Sequence, residues 1–358
     1  MRKAYLVLEN GSVFEGKMFG CEQEVIAELV FSTSMVGYME ALTDPAYEGQ
    51  MLLQTFPMIG NYGVMESDTV SDSVHVSAYI VKELCDTPSN FRSMGALEVF
   101  LCKAGVTGLC DIDTREVTRL LRENGTMNAC ISFLPVLSAE KETLLKTYKV
   151  NGGVMRTTVK EKYVIEPCEN AVRKFKVALI DYGKHKEVAA AFAARGAEVI
   201  VLPADTKAYD ILFGGYDAVV LSGGPGDPRE CVEQIETVKK IYGSKPVFAV
   251  GLGHQILALA NGFAVKKLLY GHRGASQPAT QDRTYITSQN HSYYVVSESI
   301  HEEVAHQTYF NANDKTCEGI SYDNGDYSIQ FVPDESNGPH DMSFVYDDFI
   351  NSIFDTAQ

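Results

Sequence analysis

The chain has 358 residues and a formal net charge of −16, and 45% of its residues are hydrophobic. Its length allows two domains of ordinary size, each with its own core. The acidic balance argues against a nucleic-acid-binding surface, which needs a basic stripe, and we predict no nucleic-acid partner.

Membrane attachment and secretion are not predicted. No apolar run approaches the roughly 20 residues that span a bilayer, and the run over residues 4–8 is too short for a signal-peptide core. The eight cysteines contain no Cys-x-x-Cys pair, so neither a metal site nor a disulfide framework is indicated. We therefore expect a reduced, cytoplasmic location.

The first 150 residues mix strand and helix signals. Residues 4–8 and 12–14 predict a hairpin that turns at Asn10-Gly11. Asp113 is a suitable N-cap for a helix that stops near Gly125. This part of the chain is therefore predicted to be an α+β domain.

From Lys176 onward, short apolar runs alternate with helical patterns. Such alternation is typical of a mainly parallel sheet with helices on both faces. We predict an α/β protein with an α+β domain over residues 1–150, a linker over residues 151–175 and a doubly wound domain over residues 176–358.

Residues 248–255 read FAVGLGHQ, a strand-like run followed by a sharp turn and a helix. Hydrolases use a strand, a turn and a helix to hold a nucleophile beside an oxyanion hole. A tight turn in any doubly wound fold is the simpler interpretation of this segment alone. The glycine-rich loop over residues 223–226 lacks the lysine and Ser/Thr of a Walker loop, which argues against an ATP site.

Further segments help to decide between a hydrolase turn and a plain tight turn. They read SMVGY over 34–38, TDP over 43–45, GNYG over 60–63, SNFR over 89–92, IDTR over 112–115, SGGPGDP over 222–228, GHRGA over 271–275, SQNH over 288–291 and GPHD over 338–341. Together they resemble the small-subunit family of carbamoyl phosphate synthetase. The resemblance implies a domain specific to those small subunits, followed by a class I glutamine amidotransferase domain.

The resemblance also identifies three catalytic positions. In the family, a cysteine attacks the side-chain amide of glutamine, a histidine activates the cysteine and protonates ammonia, and a glutamate orients the histidine. These roles fall on Gly251, Val332 and Asp334 here. Glycine has no nucleophile, valine accepts no proton, and aspartate is a methylene shorter than glutamate. Losing nucleophile and base together removes the covalent route.

By the same resemblance, bound glutamine would contact Ala46, Gly224, Gly226, Leu252, Gln255, Asn290, Ser292 and Tyr293. Gly224 and Leu252 would supply the N–H groups of the oxyanion hole. Ala46 stands where the family has serine, and Ser292 stands where it has glycine, so we expect a weakened or reshaped pocket. Cys231 and His254 are expected to be packed side chains that replace neither lost group.

Two functions are compatible with this pattern. The first is a carbamoyl phosphate synthetase small subunit that no longer hydrolyses glutamine and is instead a structural or allosteric partner of the large subunit. No cofactor is expected in this chain, because ATP and Mg²⁺ would bind the large subunit, which makes carbamoyl phosphate for pyrimidines and arginine. The alternative is a module that binds glutamine or another metabolite and joins no synthetase.

Overall fold

The computed structural model describes residues 1–169, 171, 173–333 and 338–355. The chain forms two compact units. Unit 1 comprises Met1–Asn151 with Leu268–Gly274, and unit 2 comprises Gly152–Lys267 with Ala275–Gln358. Within the described residues, no helix is both long enough and apolar enough to cross a membrane.

Unit 1 is built around a closed barrel. Its strands are β1 (Lys3–Leu8), β2 (Val13–Gly20), β3 (Val25–Ser32), β4 (Gln50–Gln54), β5 (Met58–Ile59), β6 (Ala78–Ile80), β7 (Glu83–Leu84), β8 (Thr107–Cys110) and β9 (Met127–Ser132), and its helices are α1 (Tyr38–Thr43), α2 (Leu97–Lys103), α3 (Thr114–Asn124) and α4 (Ala139–Thr147). The barrel order is β1-β2-β8-β6-β4-β3-β9, and β5 pairs with β7 apart from it. Parallel and antiparallel neighbours both occur in the barrel.

Residue alternation explains how the barrel buries its strands. Leu6 and Leu8 of β1 belong to one hydrophobic cluster, whereas Val7 packs in another cluster with Leu145 of α4. Successive side chains of a strand point to opposite faces, so β1 contributes to both clusters. The predicted hairpin is confirmed by the antiparallel β1–β2 pairing. The predicted cap is also present, because the Asp113 side chain accepts the Glu116 N–H at 3.0 Å.

Unit 2 contains one ten-stranded sheet. Its strands are β10 (Tyr163–Ile165), β11 (Phe175–Asp181), β12 (Ala197–Pro203), β13 (Ala218–Leu221), β14 (Val247–Val250), β15 (Val265–Thr280, of which 268–274 belong to unit 1), β16 (Thr284–Val295), β17 (Ala305–Asn311), β18 (Cys317–Tyr322) and β19 (Tyr327–Ile329), and its helices are α5 (Gly153–Thr157), α6 (Lys186–Ala194), α7 (Ala208–Phe213), α8 (Val232–Ile241), α9 (Leu252–Ala260) and α10 (Phe344–Asp355). The sheet order is β10-β12-β11-β13-β14-β19-β18-β17-β15-β16. The five neighbouring strands β12, β11, β13, β14 and β19 pair in parallel. The pairs β10 with β12, β18 with β19, β17 with β18 and β15 with β17 are antiparallel.

Helices cover both faces of this sheet. Ala178 and Ile180 of β11 share one cluster with residues of α7, α8 and α9, whereas Val177 and Leu179 share a second cluster with residues of α6 and α10. The predicted α/β fold with a parallel central sheet is thereby confirmed. The carboxyl ends of β11, β13 and β14 meet at one edge, which is where open α/β sheets place their ligands.

Two segments differ from the expected organisation. Residues 151–175 contain α5 and the edge strand β10, which pairs with β12 through Val164 and Ile200. β10 has only three residues, which are too few to show a periodic strand pattern, and the sequence therefore predicts a linker here. Residues 268–274 belong to unit 1, where the Leu269 carbonyl accepts the Thr126 N–H at 2.8 Å.

Candidate functional site

Gly251 occupies the turn between β14 and α9. Its backbone angles are φ 56° and ψ −113°, a conformation that only glycine adopts without strain. The Gly251 N–H donates to the Ile329 carbonyl at 2.9 Å, and the Gly253 N–H donates to the Ser222 carbonyl at 3.0 Å. The predicted strand, turn and helix are therefore present, and hydrogen bonds tie them to the end of β19 and to the glycine loop.

The backbone leaves space for a side chain at Gly251. An ideal Cβ there would lie 3.4 Å from the Gly223 Cα and 3.8 Å from the Gln330 carbonyl oxygen, which are ordinary contacts. The obstacle to another residue is therefore the positive φ and not crowding. Glycine offers no side chain for nucleophilic attack at this turn, and it adopts these backbone angles without strain.

Val332 lies in the segment that follows β19. Its N–H donates to the Ser288 carbonyl at 3.1 Å, and its side chain is buried in the same hydrophobic cluster as Val250 and Phe331. Within the described structure, the buried Ser288 hydroxyl has no hydrogen-bond partner. The position that the resemblance assigns to a base is therefore apolar. Asp334, the third position that the resemblance identifies as catalytic, lies outside the described residues.

The glycines of the predicted pocket have packing reasons of their own. An ideal Cβ at Gly224 would lie 2.2 Å from the Tyr182 carbonyl oxygen, which excludes any side chain. Gly226 has open space around it but a φ of +91°. Glycine is thus required at both positions by the backbone path of the loop. Their presence does not by itself indicate that glutamine binds.

Gln255 joins α9 to two distant segments. Its Nε2 donates to the Tyr293 carbonyl at 2.7 Å and to the Gln330 Oε1 at 2.9 Å. Both N–H bonds of the side-chain amide are thereby used within the protein. Sequence reasoning did not single out Gln330, because nothing in the local pattern around it indicates a contact with α9.

The remaining predicted contacts lie in both units. Asn290, Ser292 and Tyr293 are half-buried on β16, and Leu252 is buried at the start of α9. The first N–H groups of a helix have no partner within it, so Leu252 can serve as an oxyanion-hole donor. Ala46 belongs to unit 1, where its N–H donates to the Asp44 Oδ1 at 2.9 Å in a 3-10 turn.

Comparisons with known proteins cover both units. Residues 6–131 match the family described as carbamoyl-phosphate synthase small chain, CPSase domain, and residues 178–352 match glutamine amidotransferase class-I. The carbamoyl phosphate synthase small chain of Clostridium perfringens is 42% identical over 97% of this chain and 99% of its own length. The chain belongs to the carbamoyl phosphate synthase small-chain family. The small chain of Caldanaerobacter subterraneus subsp. tengcongensis is 39% identical over 98% of this chain and 96% of its own length.

Among solved structures, a putative GMP synthase protein from Thermoplasma acidophilum covers 52% of this chain and 96% of its own, with a TM-score of 0.46 and 18% identity. The family resemblance drawn from the motifs is confirmed by the family matches and by the relatives, which span nearly the whole chain.

Neither Cys231 nor His254 is suited to act as a nucleophile or a base in this small chain. Burial raises the pKa of the Cys231 thiol to about 12, so the thiolate that would act as a nucleophile does not form at neutral pH. Burial lowers the pKa of His254 to about 3, and its Nδ1 lies 2.8 Å from the Ser328 Oγ. His254 is therefore a neutral, packed histidine, as expected from the sequence.

Proposed function

We propose that this chain is a carbamoyl phosphate synthase small subunit that does not hydrolyse glutamine and is instead a structural or allosteric partner of the large subunit. The observation that carries the proposal is Gly251, a residue without a side chain at the elbow where the family places its nucleophile. The ammonia for synthesis would then come from solution, and ATP and Mg²⁺ would bind the large subunit.

Both groups needed for the covalent route are missing from their predicted positions. Nucleophile and base act as one unit, and in subtilisin the loss of the triad costs a factor of about 10⁶ in turnover. Gly251 supplies no attacking atom, and buried Val332 supplies no proton acceptor. An oxyanion hole alone retains only the residual catalysis that binding and N–H donors provide.

Unit 1 carries a surface suited to a partner. The loops at residues 34–38, 58–64 and 89–95 are joined by hydrogen bonds, among them Tyr38 N–H to the Tyr62 hydroxyl at 3.1 Å and Met94 N–H to the Val64 carbonyl at 2.8 Å. Four exposed apolar side chains lie on the first and third of these loops: Met35, Val36, Phe91 and Met94. We name them the apolar loop face.

Exposed apolar side chains that gather on neighbouring loops mark interaction sites on soluble proteins. The apolar loop face lies within residues 6–131, the part of the chain that matches the synthase-specific family and not the general amidotransferase family. We therefore assign it to contact with the large subunit. All eight cysteines are free thiols, which fits a reducing compartment such as the cytoplasm.

The alternative, a metabolite-binding module without a synthetase, rests on the predicted pocket residues that remain. The steric demands at Gly224 and the positive φ at Gly226 account for two of those residues without a ligand. Internal hydrogen bonds occupy the Gln255 amide nitrogen. No specific observation therefore favours this alternative over the small-subunit role.

The test is a purified complex of this chain with the large subunit from the same genome. We expect carbamoyl phosphate to form from ammonium and not from glutamine, with glutamate release at background. Synthesis from glutamine by this complex would refute the inactive assignment. The isolated large subunit, assayed with ammonium, shows what the small chain adds.

A second measurement separates the two functions. A Phe91→Asp and Met94→Asp double variant should lose co-purification with the large subunit, because charged groups would be buried in the contact. Val136→Asp is the matched control, because Val136 is an exposed apolar residue of unit 1 outside the apolar loop face. Failure of the wild-type chain to co-purify, together with tight glutamine binding by calorimetry, would favour the metabolite-binding module.

A further inference from the structure

Three titratable side chains form a row in unit 2 outside the elbow. Asp181 ends β11, His185 caps the start of α6, and Tyr163 begins the edge strand β10. The His185 Nδ1 lies 2.8 Å from the Asp181 Oδ1, and the His185 Nε2 lies 2.7 Å from the Tyr163 hydroxyl oxygen. The order is therefore carboxylate, imidazole and phenol.

The carboxylate at the inner end is held firmly. Asp181 is fully buried, and its two oxygens accept N–H groups of Gly183 at 2.7 Å and Val159 at 2.8 Å. The His185 Nδ1 and the Asp181 Oδ1 are close, but their geometry is not that of a hydrogen bond. Asp181 therefore acts on the imidazole through its charge, which favours a proton on the ring nitrogen that faces it.

The imidazole connects this charge to the phenol. A proton on Nδ1, the nitrogen that faces the carboxylate, leaves Nε2 as the acceptor of the Tyr163 hydroxyl. His185 is buried, so bulk water does not screen the contact. This is the arrangement of a nucleophile, an adjacent base and a group that supports the base.

We propose that Tyr163 is an activated phenol that accepts acyl groups from small acyl donors, with His185 as the base and Asp181 as a positioning residue. The phenol oxygen forms a bond to the carbonyl carbon of the donor, and the phenol proton moves to the His185 Nε2. The bond from that carbon to the leaving group then breaks, and the leaving group takes the proton from His185. The product is an O-acyl tyrosine.

The site lies at the surface of unit 2. Tyr163 is 39% exposed on the edge strand, so a small donor approaches the phenol from the exposed side of the residue. Tyr209 of α7 is 69% exposed, and the centroid of its ring lies 4.6 Å from that of Phe213. Tyr209 is thus a control within the same chain, more exposed than Tyr163 and packed on a phenyl ring.

The probe is N-acetylimidazole, an acyl donor whose leaving group is imidazole. The full-length chain is treated for short times, and acetylation of each tyrosine is followed by peptide mass spectrometry. We expect Tyr163 to react at least about 10-fold faster than Tyr209, because a positioned general base contributes roughly 10²–10⁴-fold. His185→Gln should reduce Tyr163 to the rate of Tyr209 or below, since glutamine accepts a hydrogen bond but takes no proton.

Two results would overturn the proposal. One is a Tyr163 rate at or below that of Tyr209 in the wild-type chain. The other is a His185→Gln variant in which Tyr163 keeps its wild-type rate. The rate of Tyr209 and the melting temperature, both measured in the same variant, show whether the fold is intact. Glutaminase assays have no bearing on this result, so the inference stands or falls separately from the proposed function.

Discussion

Restoring two side chains tests the assignment of the elbow directly. Gly251→Cys and Val332→His, combined in one chain, replace the missing nucleophile and base, and the acidic residue Asp334 already follows in sequence. A Cβ at position 251 meets nothing closer than 3.4 Å, so the cysteine fits. We expect the double variant to release glutamate from glutamine when it is bound to the large subunit.

The expected magnitudes follow from the two positions. A residue with a Cβ at a φ of 56° and a ψ of −113° costs about 1–3 kcal/mol in stability. An imidazole in place of a buried valine costs roughly another 1–3 kcal/mol, of which the unpartnered Ser288 hydroxyl can return a part by hydrogen bonding. The sum is comparable with or smaller than the free energy of unfolding of a typical domain, roughly 5–15 kcal/mol. The variant should therefore fold, with a lower melting temperature.

The rates should be strongly non-additive. Gly251→Cys alone lacks a base and Val332→His alone lacks a nucleophile, so both should remain near background, whereas the double variant should exceed them by at least about 10²-fold. Glutamate release is measured for each variant, with Gly251→Ala/Val332→His as the control of equal strain without a thiol. A folded double variant that binds glutamine and the large subunit but stays at the rate of this control would refute the assignment of these positions.

Three further predictions test the structure. Gly224→Ala should lower the free energy of unfolding by about 3 kcal/mol, because its Cβ would lie 2.2 Å from the Tyr182 carbonyl oxygen. Gly243→Ala, with open space and a φ of +72°, should cost about 1–2 kcal/mol in urea unfolding, and equal losses would contradict the steric explanation. Burial raises the pKa of the Asp326 carboxyl to about 6, so its protonated form is favoured in the folded state. Stability should therefore fall by up to about 3 kcal/mol as the pH rises from about 4 to about 6, and Asp326→Asn should flatten that part of a melting-temperature profile; an unchanged slope would exclude Asp326 as its source. Asp113→Ala should lower the free energy of unfolding by about 1 kcal/mol, because the N-cap of α3 is lost. An unchanged unfolding midpoint would show that this cap does not stabilise the protein.

The sequence by itself determined the local elements and the family. The β1–β2 hairpin, the capped helix α3 and the strand, turn and helix around Gly251 are each specified by neighbouring residues, because hydrophobic period, turn residues and caps act over a few positions. The glycine and the valine at the positions where the resemblance implies a nucleophile and a base were also visible in the sequence, since each is the identity of a single residue within a recognisable motif. These features needed no tertiary information.

Only the tertiary structure decided which distant residues share a contact. The Tyr182 carbonyl explains why residue 224 is glycine. The side chain of Gln330 accepts a hydrogen bond from the Gln255 amide, and His185 contacts Tyr163 on a strand that the sequence predicts as part of a linker. Such pairs are 22 to 75 positions apart, and no local pattern encodes them. Their proximity arises from the way the strands of the sheet and the helices on its faces pack, which fixes the partner of each side chain only after the chain has folded.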